Sequence, residues 1–310
     1  MMSACAWRSD VALPGMQPRP VGRHRAGAWL GADLPASVRA RPVAALLASR
    51  DGARTRIATL QEGGGFRVKF PRSAAHLDAV IVNTGGGMAG GDEARIAMSV
   101  GAGAHLVAST AAAEKIYRAL EAPARMDITL AAGEGAHLAW LPQETILFDG
   151  ARLERRLAAN LAAGASLTLC EMTVLGRAAS GERCASGALR DQWDIRRAGR
   201  LIFAERIRLE GDIATALTPA AAARGWPAYA TVLLVAQGAE ERLEAARAIL
   251  AEEAGPDSEA AASAWDGLLL VRCLAAGGGR LRQRMEAFLR GFASVSPPLQ
   301  RTPLPRSWLT

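Results

Sequence analysis

The sequence predicts a mainly β protein built from coiled or stacked sheets, with a small strand–helix–strand–helix portion at its C-terminal end. Three observations carry that expectation. From about residue 53, short apolar segments follow one another between glycine-rich turns at 62–65, 85–91, 101–103 and 133–135, and turn signals every eight to twelve residues or so mark an all-β chain. Several segments alternate apolar and polar residues with the period of two that a half-buried strand requires. A weak repeat, GAGAHL at 101–106, GEGAHL at 133–138 and AGASL at 163–167, recurs at intervals of roughly thirty residues, within the range of stacked β units.

Residues 1–50 carry Pro14, Pro18, Pro20 and Pro35 without a steady period and read as a flexible N-terminal tail. One domain is expected over 51–310, as a β body to about residue 225 and a mixed α/β portion from about 226. Strands are expected at 55–60, 66–70, 79–82, 94–100, 105–109, 125–130 and 137–141, then at 166–175, 190–196 and 200–209. In 124–130, Ala124, Met126, Ile128 and Leu130 face a core, while Arg125, Asp127 and Thr129 face solvent. The same rule in 200–209 sets Leu201, Phe203, Glu205 and Ile207 on one face and Ile202, Ala204, Arg206 and Arg208 on the other. Further on, 228–236 reads as a strand and 240–253 as a helix with Leu243, Ala246, Ile249 and Leu250 on one side. A second strand is expected over 265–275. An amphipathic helix over 279–293 follows, with Leu281, Met285, Phe288, Leu289 and Phe292 as its apolar stripe.

Half of the 310 residues are hydrophobic and 22% are charged, a globular composition. The net charge of +7 rests on arginine, since Lys69 and Lys115 are the only lysines. No basic stripe alternates with aromatics, so no nucleic-acid partner is expected. Apolar runs near 230–236 and 268–274 are too short to span a bilayer, and no sustained apolar segment precedes a cleavage site, so neither membrane nor signal peptide is expected. Cys5, Cys170, Cys184 and Cys273 lack metal-ligand spacing; Cys170 and Cys273 lie in apolar runs and read as buried thiols of a reducing, cytoplasmic compartment.

The run Thr84, Gly85, Gly86, Gly87, Met88, Ala89, Gly90, Gly91, Asp92 follows an apolar strand, as a phosphate loop would. It lacks the Lys and Ser/Thr that reach phosphate and magnesium, and no helical period follows. A wide turn needing positive φ or tight backbone contact accounts for it, or a protein-contact loop. His24, His76, His105 and His137 have no Cys or His at ligand spacing, although His105 and His137 hold equivalent places in the repeat. The segment 109–118, with Ser109, Thr110, Glu114, Lys115, Tyr117 and Arg118, suits acid–base chemistry. A hydrolase or ligand-binding enzyme centred on Glu144 and Lys115 is the catalytic alternative, but nothing sets a nucleophile within reach of a base. In the run Trp140 to Gly150, with Pro142 and Asp149, the polar Gln143 and Glu144 interrupt apolar residues. Buried polar groups need partners. These would be loop backbone, an internal water path or another protein. Arg152, Arg155 and Arg156 offer a Glu–Arg network, while an inward Glu144 would line a polar channel.

Five blocks resemble the urease accessory protein UreD family, also called UreH: NTGGGMAGGD at 83–92, AAEKIYRA at 112–119, WLPQETILFDGARLERR at 140–156, LGRAASGE at 175–182 and LPRSW at 304–308. The resemblance runs from about residue 53 to the C-terminus. It implies stacked, helically arranged sheets with a few helices, and a non-catalytic scaffold or chaperone for urease maturation. The implied partners are apo-urease, a UreF-like protein and, through it, a nickel-carrying UreG-like GTPase. Internal tunnels would pass nickel toward the urease active site. On that resemblance Asp92, Glu114, Glu144 and Asp149, with His105 or His137, are the expected nickel path or partner contacts. Gly85, Gly86, Gly87, Gly90, Gly91, Lys115, Tyr117, Arg118, Trp140, Pro142 and Gln143 are expected structural or partner-contact positions. The lack of a Cys or His cluster argues against a tightly bound cofactor; transient nickel, ligated weakly and in sequence, is what transfer requires.

Overall fold

The computed structural model describes residues 39–73, 76–296 and 304–308. Cys5, His24 and the expected tail as far as residue 38 lie outside the described residues. Eighteen strands are described: β1 (Val43–Asp51), β2 (Arg54–Gly63), β3 (Phe66–Lys69), β4 (Leu77–Asn83), β5 (Glu93–Val100), β6 (His105–Thr110), β7 (Glu114–Ile116), β8 (Ala124–Ala132), β9 (His137–Trp140), β10 (Thr145–Leu147), β11 (Arg152–Leu161), β12 (Ser166–Arg177), β13 (Glu182–Arg183), β14 (Ser186–Arg197), β15 (Arg200–Asp212), β16 (Ala228–Val235), β17 (Ser258–Trp265) and β18 (Leu268–Ala275). Three α-helices join them: α1 (Ile213–Leu217), α2 (Leu243–Glu252) and α3 (Gly278–Val295).

The chain winds between two sheets. In the first, the order is β15-β14-β11-β8-β5-β1-β2, and β1, β5, β8, β11 and β14 run parallel. In the second, β4, β6, β9 and β12 run parallel, and β16, β18 and β17 extend the sheet antiparallel. Each coil therefore adds one rung to both sheets, as in a β-solenoid. The repeat in the sequence is the turn between them: β5 to β6, β8 to β9 and β11 to β12. Its copies stack, with His105 opposite His137 and His137 opposite Ser166.

Alternation explains the core. Ile96, Ile128 and Leu157 of the first sheet and Leu106, Leu138 and Leu167 of the second are buried between the sheets. Their solvent-side neighbours form rows such as Glu93, Arg125, Glu154 and Arg190, which alternate in charge across neighbouring strands. The outer face of the second sheet is also apolar. Val107, Leu141, Met172, Val232 and Val271 pack there against Leu281, Met285, Phe288 and Phe292 of α3. The apolar stripe expected on 279–293 is that helix's buried face.

Three expectations need correction. Residues 43–50 are not tail; β1 pairs parallel with β5 and antiparallel with β2. The C-terminal portion continues the second sheet, since β16 pairs with β12. Its expected strand at 265–275 is half of a hairpin, β17–β18, turning at Asp266–Gly267, both with positive φ, the Asp-Gly signature of a two-residue turn. In β15 the expected face holds for Phe203, Glu205 and Ile207 but not for Leu201. A bulge at Ile195/Arg196 shifts the register, leaving Leu201 exposed while Ile202 packs against the core.

Candidate functional site

At one end of the stack the connections are short turns; at the other they are long loops. The five segments that carry the resemblance meet at the loop end. The Asn83 amide donates to Glu114 Oε1 at 2.8 Å, and Tyr117 Oη donates to the Gly86 carbonyl at 2.9 Å. The Asp149 amide donates to Glu182 Oε1 at 2.9 Å. Gln143 Nε2 donates to the Ser307 carbonyl at 2.6 Å, and Trp308 Nε1 to the Leu141 carbonyl at 2.8 Å. Gly87, with φ +154°, lets this junction close: a Cβ there would stand 2.6 Å from the Tyr117 ring and 2.7 Å from the Lys115 carbonyl.

A cavity of about 130 Å³ runs inward from this end, between the sheets. Asn83, Gly86, Gly87, Glu114 and Lys115 belong to its wall near the surface loops, and Trp140, Arg155 and Glu171 to its inner wall. Burial raises the Glu114 carboxyl to about 7, against the opposing effects of the Asn83 hydrogen bond and the Lys115 charge. Arg155 is fully enclosed. Its Nε and Nη2 donate to Asp191 at 3.0 and 2.5 Å, and its Nη1 donates to Glu171. Trp140 Nε1 donates to Glu171 at 2.7 Å and Trp193 Nε1 to Asp191 at 2.9 Å. Two carboxylates thus share one guanidinium. Burial drives Glu171 upward, with Arg155 and the Trp140 hydrogen bond opposing. Burial works against the Arg155 charge, but the Asp191 and Glu171 charges outweigh it and raise its affinity for its proton.

The sequence-derived candidates separate into distinct environments. Both Asp92 oxygens accept backbone amides, from Ala40 and Ala89 at 2.8 Å, so Asp92 ties the glycine loop to the chain leading into β1. Asp149 Oδ1 accepts the Ala185 and Ser186 amides at 2.9 Å, and these bonds, with Ser186 first, hold its carboxyl below the usual range. Glu144 turns away from the inner cavity to Arg282 of α3 at 3.2 Å, so its arginine is not one of the three that follow it in sequence. Arg282 also donates to Gln143 and lies over the Trp308 ring. Among the described residues no ion pair joins Glu144 to Lys115, whose side chain is exposed. Arg118 packs across Gly150, while Gly90 lies against Ala119 and Ala122 and Gly91 against Arg39. Pro142, Gln143 and Trp140 all line the cavity.

His105 and His137 are at the opposite, turn end, beside a separate cleft. Among the described residues no three His, Cys, Asp or Glu side chains gather as a metal cage. Cys170, Cys184 and Cys273 are buried free thiols, and burial pushes Cys184 and Cys273 up to about 11. Sequence reasoning missed Glu171 and Asp191. The available signal was a lone Glu171 inside the apolar run 167–175 and an Arg155 on the inward phase of an alternating strand.

Fold and site together define a coiled two-sheet protein with a narrow interior cavity, largely apolar in its lining but reached by Glu114, Arg155 and Glu171. The family model described as UreD urease accessory protein matches residues 41–309. The chain is 50% identical over 260 residues to urease accessory protein UreD 1 of Methylobacterium radiotolerans, covering 84% of this chain and 88% of that one. It is 44% identical over 308 residues to urease accessory protein UreD of Xanthobacter autotrophicus, covering 99% of each. A UreD of Rhodopseudomonas palustris (strain BisB18) is 48% identical over 257 residues, covering 83% of this chain and 89% of the relative. The chain belongs to the UreD family of urease accessory proteins. No helix among the described residues is long and apolar enough to cross a membrane.

Proposed function

We propose that the protein is a non-catalytic cytoplasmic scaffold for urease maturation. In this reading it binds apo-urease and a UreF-like partner, and through that partner a UreG-like GTPase, and its interior passes nickel toward urease. The observation that carries the reading is the loop-end cavity, which leads from Glu114 to the enclosed Glu171–Arg155–Asp191 cluster. A carboxylate raised toward neutrality and held by one amide is a weak oxygen ligand that competes with protons, which suits a passing ion. The Arg155 guanidinium pairs with both carboxylates and offsets part of their charge, so the interior does not become a trap of bare carboxylates. The surrounding loops, clamped together by Gln143, Trp308 and Asp149, form the surface on which partners are expected.

The test is co-expression with urease subunits and candidate UreF-like and UreG-like proteins, followed by affinity capture and activation with nickel. Co-capture, with Glu114→Gln lowering nickel-dependent activation while leaving the complex intact, is the expected result. A chain that neither joins the complex nor affects activation overturns the reading.

A further inference from the structure

The two sheets end in four edge strands, β15 and β2 in the first and β17 and β3 in the second. An open edge presents unpaired N–H and C=O groups to any other strand, and native edges usually carry a guard. On β15, Arg206 and Arg208 stand beside Asp194 and Glu210. Along β17, Arg247 of α2 donates to the Ala262 carbonyl. β3 has only four residues, with Arg67 and Lys69 exposed. β2 is different. It has ten residues, eight of them exposed, and Ile57 and Leu60 among them are large apolar side chains at 42% and 38% exposure. No strand among the described residues pairs with the far side of β2.

Both apolar residues belong to the core-facing phase. Leu60 stands opposite Leu46 and Ile57 opposite Ala48, and both of those β1 residues are buried. The interior row therefore continues into β2 and ends at solvent. A bulge makes this strand complementary to itself. Pairing with β1 runs to Leu47↔Thr59 and resumes at Ala48↔Ile57, so Ala58 is the extra residue. Faces alternate along a strand, so the two ends of an uninterrupted ten-residue strand lie on opposite faces. Antiparallel pairing of such a strand with its own copy would set core-facing residues against solvent-facing ones. One extra residue cancels that mismatch. With all ten residues of two copies paired, Arg54 meets Gly63, Thr55 meets Glu62, Arg56 meets Gln61 and Ile57 meets Leu60, and each pair shares a face. Charge favours the same direction. Arg54 and Arg56 lie at one end of β2 and Glu62 at the other, so antiparallel copies bring opposite charges together, whereas parallel copies would set arginine on arginine.

We propose that two copies of the chain associate through β2, antiparallel about a two-fold axis at the bulge, joining their seven-stranded sheets into one continuous sheet. Ile57 of each copy packs on Leu60 of the other, so one self-complementary contact closes both open interiors. Ten paired residues span about 34 Å. A single strand pair of that length is at the small end of specific interfaces, so the dimer forms and dissociates with concentration. β2 contributes no residue to the loop-end cavity, and the proposal does not rest on the channel reading.

Ile57→Cys and Leu60→Cys are made separately in the full-length chain with Cys5→Ser as background, purified with any co-expressed partner, then mixed and oxidised with diamide. The mixture should yield a disulfide-linked dimer, with the bond between positions 57 and 60 identified by mass spectrometry. Each variant alone should cross-link at least tenfold less. Equivalent positions of the two copies stand three residues out of register, beyond the Cα separation of about 7 Å that a disulfide spans. In sedimentation velocity across a concentration series, Leu60→Lys should raise the dimer dissociation constant at least tenfold while thermal unfolding stays near that of the parent chain. Cross-linking no greater in the mixture than in the single variants, or a dimer indifferent to Leu60→Lys, overturns the proposal, as does a chain that stays monomeric. A different protein on this edge also overturns it, seen as a co-purified partner released by Leu60→Lys while the mixture fails to cross-link. Failure of the channel reading is distinguishable, since that is read from urease activation with Glu114→Gln, a change that leaves β2 untouched.

Discussion

The two ends of the stack are built from the same rungs by different means. At the turn end, one backbone hydrogen bond recurs three times: Ala104 to Gly101, Ala136 to Gly133 and Ala165 to Ala162. Each turn also bonds to the coil before it, as in Gly133 to Val100 and Ala162 to Ala132. At the loop end no connection repeats another. Asp92, Asp149, Gln143 and Tyr117 hold the loops to one another through side chains, and the interior behind them carries an ion cluster. Backbone stacking needs only small residues and tolerates change. Side-chain closure around buried charge depends on particular atoms.

Substitutions at the two ends sharpen or break that contrast. Arg155→Met leaves Glu171 and Asp191 enclosed without a counter-charge and should cost about 3–5 kcal/mol in urea unfolding. Adding Glu171→Leu and Asp191→Leu should restore most of the loss; a small cost for the single variant would mean that the interior is wet. Next, Gly87→Ala drives a methyl into the Tyr117 ring and the Lys115 carbonyl at φ +154° and should cost roughly 2–3 kcal/mol. Gly135→Ala at the turn end meets nothing within 4 Å and pays only for its left-handed φ, about 1 kcal/mol. Equal costs in chemical denaturation would erase the distinction between the ends.

Glu114 gives a smaller, pH-dependent effect. Its folded pKa of about 7 lies above the unfolded 4.5, so the folded state binds more protons between those values. Its contribution is fully present below pH 4.5 and is lost as pH rises through 7. Wild type should therefore lose on the order of 2–2.5 kcal/mol relative to Glu114→Gln between pH 5 and 8, read from urea midpoints at each pH. The smallest effect belongs to Glu144→Gln. Its pair with Arg282 is partly exposed, and the change should cost under about 1 kcal/mol; a loss of several kcal/mol would make Glu144 part of the buried cluster.

Much of the fold was legible because strand alternation and turn chemistry are local. The strand over 124–130, the repeat turns and the stripe of α3 all follow from neighbours a few residues apart. Residues 43–50 were obscured by the proline-bearing segment before them, and the β15 bulge by a register set on another strand. At the candidate site, Trp140, Gln143 and Glu114 stood out as polar or bulky groups in apolar surroundings. Asp92 and Asp149 looked like ligands, but their oxygens are committed to backbone amides that no spacing rule reveals.

By itself the sequence determined the class of protein: period-two segments, glycine turns and a thirty-residue or so repeat suffice for stacked β coils, and five family blocks suffice for membership. Only the tertiary structure decided which residues share a space. Glu171 joined Arg155 and Asp191, Glu144 turned to Arg282, and the histidines parted from the cavity to form a column. The reason is physical. Secondary structure responds to periodicity along the chain, whereas a site is assembled by sheet register and burial, which couple residues tens to hundreds of positions apart.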